Sequence, residues 1–267
     1  MPKRYFIEIA YNGTNYCGWQ VQPNQITVQS VLTDALKTIF NQPIRTIGCG
    51  RTDSSVHARQ FFVHFDAEGA VPENFLYRIN KILPKDISVY RLIDHVPEDA
   101  NTRFDATYRA YTYYIHFEKN PFLFKQSFFY PWRPLDVNAM QQAIDMIPKY
   151  NDFRMFCKSG GSQKHYLCNI FNVEMIIDEH KMEFHIAANR FLRGMVRRVV
   201  GAILMVGKGK ISLEEFKYTL ETKRRRFATI NKAAPPQGLY LTEVRYDYLE
   251  DIKPVSYTHL TLPTNGC

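Results

Sequence analysis

The order of strand-like and helix-like stretches constrains the fold of this chain more than any other feature. Residues 4–10 alternate in the manner of a half-buried strand, and residues 28–40 carry apolar side chains at helical spacing behind the candidate N-cap Thr27. The patterns that follow predict strands at 45–49 and 61–65, a helix at 73–82 and a strand at 87–92. The first half therefore follows the order strand, helix, strand, strand, helix, strand.

The second half follows a closely similar order. Its predicted elements are a strand at 108–117, a helix at 136–147 capped by Asp136, a hairpin of strands at 170–177 and 182–188, helices at 191–206 and 213–222, and a strand at 239–248. This mixed order excludes the strict strand–helix alternation of a doubly wound fold. It predicts an α+β protein of two ferredoxin-like (RRM-like) halves, in which one face of each antiparallel sheet stays open for RNA.

The domain boundaries follow from the same order of elements. A linker near residues 97–104 divides the chain into an N-terminal half, 1–103, and a C-terminal half, 104–250. The two halves have no visible sequence similarity, so their proposed duplication depends on element order alone. Residues 254–267 continue no pattern before them, and we interpret them as a non-native extension outside the fold.

Composition and charge narrow the class of protein. With 45% hydrophobic and 22% charged residues and no apolar run of membrane-spanning length, the chain is predicted to be globular and not to span a membrane. The N-terminus lacks a signal-peptide pattern, so we expect a cytoplasmic protein. A net charge of +8 fits either a nucleic-acid partner or a basic protein without one. The 17 Tyr and 19 Phe favour RNA, which aromatic side chains bind by stacking.

The cysteines and histidines offer little catalytic chemistry. Five cysteines without a CxxC pair indicate reduced thiols, and Cys49 is better explained as a buried strand-end thiol than as a nucleophile. The eight histidines form no HExxH motif or Cys/His cluster, so no metal site is expected.

Three separate stretches have side chains suited to catalysis or binding. In residues 50–58, Asp53 either presents a catalytic carboxylate or only caps its own backbone in an Asx-turn, and Arg51 could orient it or contact a phosphate. In residues 108–114, Arg109, Tyr111 and Tyr113 share one strand face, which suits either a core or base stacking. On the helix at 191–206, Gly194, Arg197 and Gly201 lie opposite the apolar stripe. Either these glycines allow another segment to approach closely while Arg197 reaches past it, or Arg197 is a solvated side chain between two accidental glycines.

Two basic segments are further candidates for RNA binding. Residues 158–164 form a Gly/Ser-rich loop with Lys158 and Lys164 at its ends, and residues 223–226 are a run of one lysine and three arginines. Flexible or solvated surface is the alternative interpretation of both.

Six blocks of sequence resemble the TruA-type tRNA pseudouridine synthases in the family's own order. GRTDSSVHA at 50–58 is similar to the family signature GRTDxGVHA, and YNGTNYCGWQ at 11–20 to its opening YDGTxYxGWQ. The other four blocks lie at 28–32, 103–113, 189–197 and 233–241, where they match the family patterns VQxxL, RFxA with YxY, FLxxMVR and GLxL. The resemblance spans residues 5 to about 248.

The resemblance implies two ferredoxin-like halves whose sheets join, with the catalytic cleft between them, and a homodimer that binds tRNA. It implies isomerisation of uridines at positions 38–40 of the anticodon stem-loop without a cofactor or metal. Asp53 would be the catalytic aspartate, acting as nucleophile at C1′ or as base at the 2′ position, and Arg197 would pair with it. Tyr111 would pack on the target base, and Arg51 would help to extrude the uridine. Further candidate RNA contacts are His57, Arg109, Lys158, Lys164 and Arg193.

The chain departs from the family pattern in the signature itself. The family commonly has Gly two residues after the aspartate, where this chain has Ser55 preceded by Ser54. If the turn requires a positive φ at this position, Ser55 is strained where glycine would not be. The family also often has Lys or Arg where Ala110 lies, and Arg109 is a possible substitute.

Overall fold

The computed structural model describes residues 2–158, 160, 165–223 and 232–249. The described strands are β1 (Lys3–Tyr11), β2 (Ile47–Gly48), β3 (His57–Ala67), β4 (Ile87–Ile93), β5 (Tyr108–His116), β6 (Phe128–Phe129), β7 (Ile170–Ile177), β8 (Lys181–Ala188) and β9 (Leu239–Arg245). The described helices are α1 (Val28–Phe40), α2 (Phe75–Ile82), α3 (Val137–Met146), α4 (Met195–Gly207) and α5 (Leu213–Thr222).

The bounds of α1 are those that the sequence predicts. Thr27 and Ser30 form a capping box in which the threonine side chain accepts from the Ser30 amide and the serine side chain accepts from the Thr27 amide. At the other end Asn41 takes a left-handed conformation with φ 50°. The two terminal signals agree with the apolar spacing, and this agreement explains why the helix could be predicted so closely.

The predicted helix at 191–206 is wrong at its N-terminal end. Gly194 is the N-cap of α4 with φ 66°, and residues 191–193 lie outside the helix. A left-handed residue interrupts the right-handed helical path, so the helix starts at Met195. Phe191 and Leu192 are thereby free to pack from a loop instead of from the helix face.

The nine described strands all belong to one sheet, and its order confirms the α+β prediction. The strands follow the order β4-β1-β3-β9-β5-β8-β7, with β2 paired to β3 and β6 paired to β5. In the N-terminal half β4 lies beside β1 and β1 beside β3, and in the C-terminal half β9 lies beside β5 and β5 beside β8, as in a split βαβ unit. Only the β3–β9 and β5–β6 pairs are parallel.

The β3–β9 pair joins the two halves. His57 faces Tyr240 and Ala58 faces Leu241 at the N-terminal end of β3, while β2 pairs with β3 further along at Val63 and His64. Between these two pairings, the Gln60 side chain accepts a hydrogen bond from the Val244 amide at 2.9 Å and donates to Glu8 at 3.1 Å. The buried side-chain amide of Gln60 therefore links β3 to β9 beyond the point where their backbones pair.

The apolar interior forms two clusters that broadly follow the two halves. Leu241, Val244 and Tyr246 from the end of the chain lie in the N-terminal cluster, and Val56 lies in the C-terminal one. Each cluster therefore depends on residues from the other half. The division at residue 103 stays a prediction, and the proposed extension at 254–267 lies outside the described residues.

No helix in the described part of the chain is long and apolar enough to cross a membrane.

Candidate active site

The turn that carries Asp53 packs against the segment after β1. The Tyr11 hydroxyl and the Thr52 hydroxyl are 2.9 Å apart, and the Trp19 amide donates to the Thr52 carbonyl at 3.2 Å. A Cβ at Gly18, where φ is 82°, would lie 2.4 Å from the Thr52 carbonyl oxygen, and one at Gly13 would lie 2.0 Å from that of Val56. At both positions another stretch of backbone comes too close to leave room for a side chain, so glycine is required.

Ser55 occupies the backbone conformation that glycine favours. Its φ is 60°, its amide donates to the Tyr16 carbonyl at 3.2 Å, and the Ser54 hydroxyl donates to the same carbonyl at 3.2 Å. The conditional expectation of a positive φ is therefore confirmed. The turn keeps its geometry with a serine because Tyr16 holds it from two directions.

Asp53 and Arg197 come together from 144 positions apart in the chain. Arg197 Nη1 donates to Asp53 Oδ2 at 3.0 Å, and the two side chains are 18% and 27% exposed respectively. The Ser55 amide, two residues after Asp53, donates to the Tyr16 carbonyl rather than to the Asp53 carboxylate, as an Asx-turn would require. The structure thus favours an oriented carboxylate over an Asx-turn, and that carboxylate remains accessible.

A segment at 232–235 holds Arg197 in place. Arg197 Nε donates to the Ala234 carbonyl at 2.7 Å, and the Ala234 amide donates to the Arg197 carbonyl at 2.8 Å. The segment reaches α4 at Gly201, where a Cβ would lie 2.0 Å from the Lys232 carbonyl oxygen. The Tyr113 hydroxyl donates to the Pro235 carbonyl at 2.6 Å from the other side. The expected close approach of another segment at Gly201 is confirmed. Gly194 has a different role, as the N-cap residue of α4.

Tyr111 lies half-buried in β5 between β8 and β9. Its ring meets that of Phe191 edge-on, with centroids 5.2 Å apart. Burial, followed by the nearby Cys49 thiol and Asp53 carboxylate, raises the pKa of the Tyr111 phenol, so it stays protonated at neutral pH. Phe191, which sequence reasoning assigned only to a helix stripe, therefore orients a candidate substrate-binding residue.

His57 is wrongly predicted as an RNA contact. Its side chain is 1% exposed, Nδ1 accepts from the Gly13 amide at 3.1 Å, and Nε2 donates to the Gln237 carbonyl at 3.2 Å. The ring also stacks on Tyr240 at 4.4 Å. Burial lowers the pKa of the His57 imidazole to about 4. Through these contacts the neutral His57 ring links the turn that carries Asp53 to the segments that carry Gly13 and Gln237.

Arg109 bonds to the backbone of the loops around it. Its guanidinium donates to four carbonyl oxygens at 2.8–3.0 Å, those of Cys49, Arg103, Ala106 and Asn189. These partners are all backbone groups, and a contact of the half-buried Arg109 with RNA stays a prediction. The residue instead holds three loops around one guanidinium.

The other predicted basic residues are distributed over the surface. Arg51, Arg193 and Lys158 are exposed, and the Lys158 amide donates to the Arg193 carbonyl at 2.8 Å, so the last two are neighbours. Lys164 and residues 224–226 lie outside the described residues, and Lys223 is 3.6 Å from Asp152. Contacts of the exposed residues with RNA stay predictions.

The sulfur chemistry near the turn is inert. Cys49 is buried, and burial raises the pKa of its thiol to about 11, in agreement with a structural role. No three His, Cys, Asp or Glu side chains among the described residues are grouped to hold a metal ion.

Fold and site together define the class of protein. A partly exposed carboxylate held by an arginine, with a protonated tyrosine on the neighbouring strand, is a group suited to nucleophilic or general-base chemistry, so fold and site are compatible with an enzyme.

Comparison with known proteins identifies the family. Residues 150–247 match the family model described as tRNA pseudouridine synthase. A tRNA pseudouridine synthase A of Azobacteroides pseudotrichonymphae is 41% identical over 244 residues, 91% of this chain and 96% of the relative. One of Bacteroides fragilis is 42% identical over 247 residues, again 91% and 96%. The chain therefore belongs to the tRNA pseudouridine synthase family and is an isomerase.

Proposed function

We propose that this protein converts uridine to pseudouridine at positions 38–40 in the anticodon stem-loop of tRNA, with Asp53 as the reacting group. The observation that carries the proposal is the 3.0 Å contact between Asp53 and Arg197. An arginine that bonds to one carboxylate oxygen and to a backbone carbonyl at once fixes the direction of the carboxylate. The relatives are named as tRNA enzymes, which supports the substrate.

Two routes from Asp53 lead to the same product. In the first, Asp53 attacks C1′ of the ribose and the N1–C1′ bond breaks, with its electron pair leaving on uracil. The uracil turns, C5 attacks C1′ and displaces Asp53, and the C5 proton is transferred away while N1 gains one. In the second, Asp53 removes the 2′ proton as uracil leaves with the N1–C1′ electron pair, which gives a glycal. The 2′ carbon then takes that proton back as C5 bonds to C1′, and C5 loses its proton while N1 gains one. Both routes balance, because uridine and pseudouridine are isomers.

The neighbouring side chains supply what the detached uracil requires. Tyr111 packs on the base and retains it while it turns, since loss of the base would convert isomerisation into hydrolysis. Arg51, which is exposed beside Asp53, occupies the space of the extruded uridine. The isomerisation has no net redox change and consumes no co-substrate, so the reaction as proposed runs without a cofactor. The family resemblance supports a homodimer that acts in the cytoplasm.

Release of tritium from C5 of uridine tests the proposal. An unmodified tRNA labelled at uridine C5 is incubated with the protein, with Asp53→Asn and with Asp145→Asn, a matched exposed aspartate on α3. We expect release by the protein and Asp145→Asn, none by Asp53→Asn, and RNA binding by all three. Equal release by Asp53→Asn would exclude Asp53 as the reacting group. Absence of release from all three would favour the alternative, an RNA-binding module without catalysis.

A second substrate tests the position. The same tRNA with cytidine at 38–40 keeps its other labelled uridines. The proposal expects no release from this tRNA, and unchanged release would contradict positions 38–40 while leaving the reaction itself in place.

A further inference from the structure

We propose that Phe104 and Arg103 form a subsite on the rim of the cleft, where the Phe104 ring stacks on one unpaired base of the RNA loop and Arg103 contacts the adjoining phosphate. The inference deepens the proposed function and rests on it for the identity of the RNA. Phe104 is 76% exposed, which is unusual for a large apolar side chain on a fixed backbone. We call this pair the Phe104 subsite.

The backbone under the Phe104 subsite is firmly anchored. Thr102 is fully buried; its hydroxyl donates to the Ile47 carbonyl at 2.9 Å, its amide donates to His64 at 3.1 Å, and its carbonyl accepts from the Tyr246 hydroxyl at 2.6 Å. Asn101 Oδ1 accepts from the amides of Arg103 and Phe104 at 3.0 and 3.3 Å. An exposed ring on such a base loses little entropy when a ligand stacks on it.

Arg109 places the Phe104 subsite next to the catalytic turn. One guanidinium donates to the carbonyls of Arg103 and Cys49 at 2.8 and 3.0 Å, and Cys49 lies two residues before Arg51. The same guanidinium bonds to the carbonyl of Asn189, the residue before Arg190. The loops that carry Arg51, Phe104 and Arg190 therefore converge on one point, and Tyr111 lies on the same face of β5 as Arg109.

The charges that act on the Arg103 guanidinium are of one sign. Burial, followed by the charges of Arg51, Arg109 and Arg190, lowers the pKa of the Arg103 guanidinium. No carboxylate is among the charges that act on it. A group of arginines that repel one another favours a bound anion, and a phosphate is the anion that RNA supplies.

The ring and its neighbouring cation fit a nucleotide. The Arg103 Cζ lies 5.5 Å from the centroid of the Phe104 ring, so the cation covers one face of the ring and the opposite face is available to a base. Base stacking on an aromatic side chain tolerates any base, whereas a paired base in a stem exposes no face to stack on. The Phe104 subsite therefore selects an unpaired loop nucleotide beside the target uridine.

Fluorescence of 2-aminopurine tests the proposal. A synthetic anticodon stem-loop carries 2-aminopurine at one loop position at a time, with the target uridine left in place, and is bound to Asp53→Asn, which makes no product. We expect quenching at one loop position, and loss of that quenching in Asp53→Asn with Phe104→Ala. Phe104→Tyr in the same background should retain it. Phe122, which is 86% exposed on a separate loop, gives the matched control Phe122→Ala, which should leave the quenching unchanged.

Turnover by the otherwise unchanged protein completes the test. Phe104→Ala should lower kcat/KM for the intact stem-loop about tenfold. It should have no effect when the quenched position carries an abasic nucleotide. Quenching that persists in Phe104→Ala, or an equal loss on intact and abasic RNA, would overturn the subsite. Neither result bears on Asp53, since tritium release from the wild-type protein is measured independently.

Discussion

Ser55 lies at the residue where this chain departs from its family's pattern, and its φ of 60° makes the departure costly. A left-handed conformation costs a residue other than glycine about 1–2 kcal/mol. Glycine avoids this cost but loses more conformational freedom on folding, which cancels roughly half of the gain. We therefore expect Ser55→Gly to raise the free energy of unfolding by about 0.5–1 kcal/mol. Urea denaturation measures the change.

The control for Ser55→Gly is Ser55→Ala. Alanine removes the hydroxyl but keeps the left-handed strain, so it should give no increase in the free energy of unfolding. If Ser55→Ala stabilised the protein as much as Ser55→Gly, loss of the hydroxyl rather than relief of strain would be the cause.

His57 makes the stability of the protein depend on pH. Its pKa is about 4 in the folded protein, against the usual value of 6.5, because burial disfavours the charged ring. The unfolded chain then binds the proton more tightly, so stability is complete above pH 6.5 and is lost as the pH falls toward 4. At pH 5 the loss from this group is about 2 kcal/mol relative to pH 7. His64, whose pKa burial also lowers to about 4, adds a similar amount.

NMR titration of the histidine rings checks this origin directly. The His57 signals, assigned by their absence in His57→Gln, should shift between pH 7 and pH 5 by only about a tenth of their full titration change. Urea denaturation at the two pH values should show the drop in stability. A His57 ring that titrates near its usual pKa would contradict the structural account of the pH dependence.

Helix α4 gives a prediction at the level of one element, because Gly201 sets its distance from the segment that holds Arg197. Alanine is the better helix former by about 1 kcal/mol, but a Cβ at Gly201 would lie 2.0 Å from the Lys232 carbonyl oxygen. The segment must move, and Ala234, two residues on, must shift its bond to Arg197. We expect Gly201→Ala to lower kcat at least tenfold, because misplacement of this size disrupts catalytic geometry. Single-turnover kinetics measure the loss in the rate of the chemical step. The RNA affinity should change little, which separates an effect on catalysis from an effect on binding.

Gly207 provides the matched control on the same helix. Its added Cβ would meet the Met140 sulfur at 2.4 Å, which belongs to a flexible side chain on α3, and Gly207 lies at the opposite end of α4 from Arg197. Gly207→Ala should change stability but leave kcat within about twofold, because the methionine can repack. Equal losses of kcat in both variants would show that the effect is general to the helix.

The elements differ in how well the sequence predicts them, and the reasons are physical. Helix α1 was predicted to the residue because caps and apolar spacing coincide, whereas the start of α4 was missed because a glycine after Phe191 and Leu192 gives no signal of its left-handed conformation. The two-residue strand β6 was not predicted, because it is too short to show an alternating pattern.

The site was predicted less evenly than the fold. Asp53 and Arg197 were each singled out from their local patterns, but their pairing came only from the family resemblance, since nothing in local sequence reveals a pair 144 positions apart. His57 and Arg109 were assigned to RNA because polar side chains in a signature suggest a ligand. Their partners are backbone carbonyls and amides, which a sequence pattern does not display.

At the scale of the whole molecule, the two halves share strands and cores, which has a consequence for unfolding. Strand β9 belongs to the C-terminal half by its order in the chain but pairs with β3, and Val244 and Tyr246 complete the N-terminal cluster. Separating the halves would expose these side chains and break the Gln60 bond to Val244. We therefore expect the halves to unfold together in one transition.

The chain's two tryptophans allow this to be measured half by half. Trp19 is buried against Phe61 in the N-terminal cluster, and Trp132 lies exposed against Tyr130 in the C-terminal half. Trp132→Phe leaves Trp19 as the only fluorescent reporter, and Trp19→Phe leaves Trp132. Within each variant, the urea midpoint from fluorescence should coincide with that from far-UV circular dichroism, because the dichroism reports both halves. If the fluorescence midpoint in either variant differs from the dichroism midpoint, the halves unfold independently and the strand join is too weak to couple them.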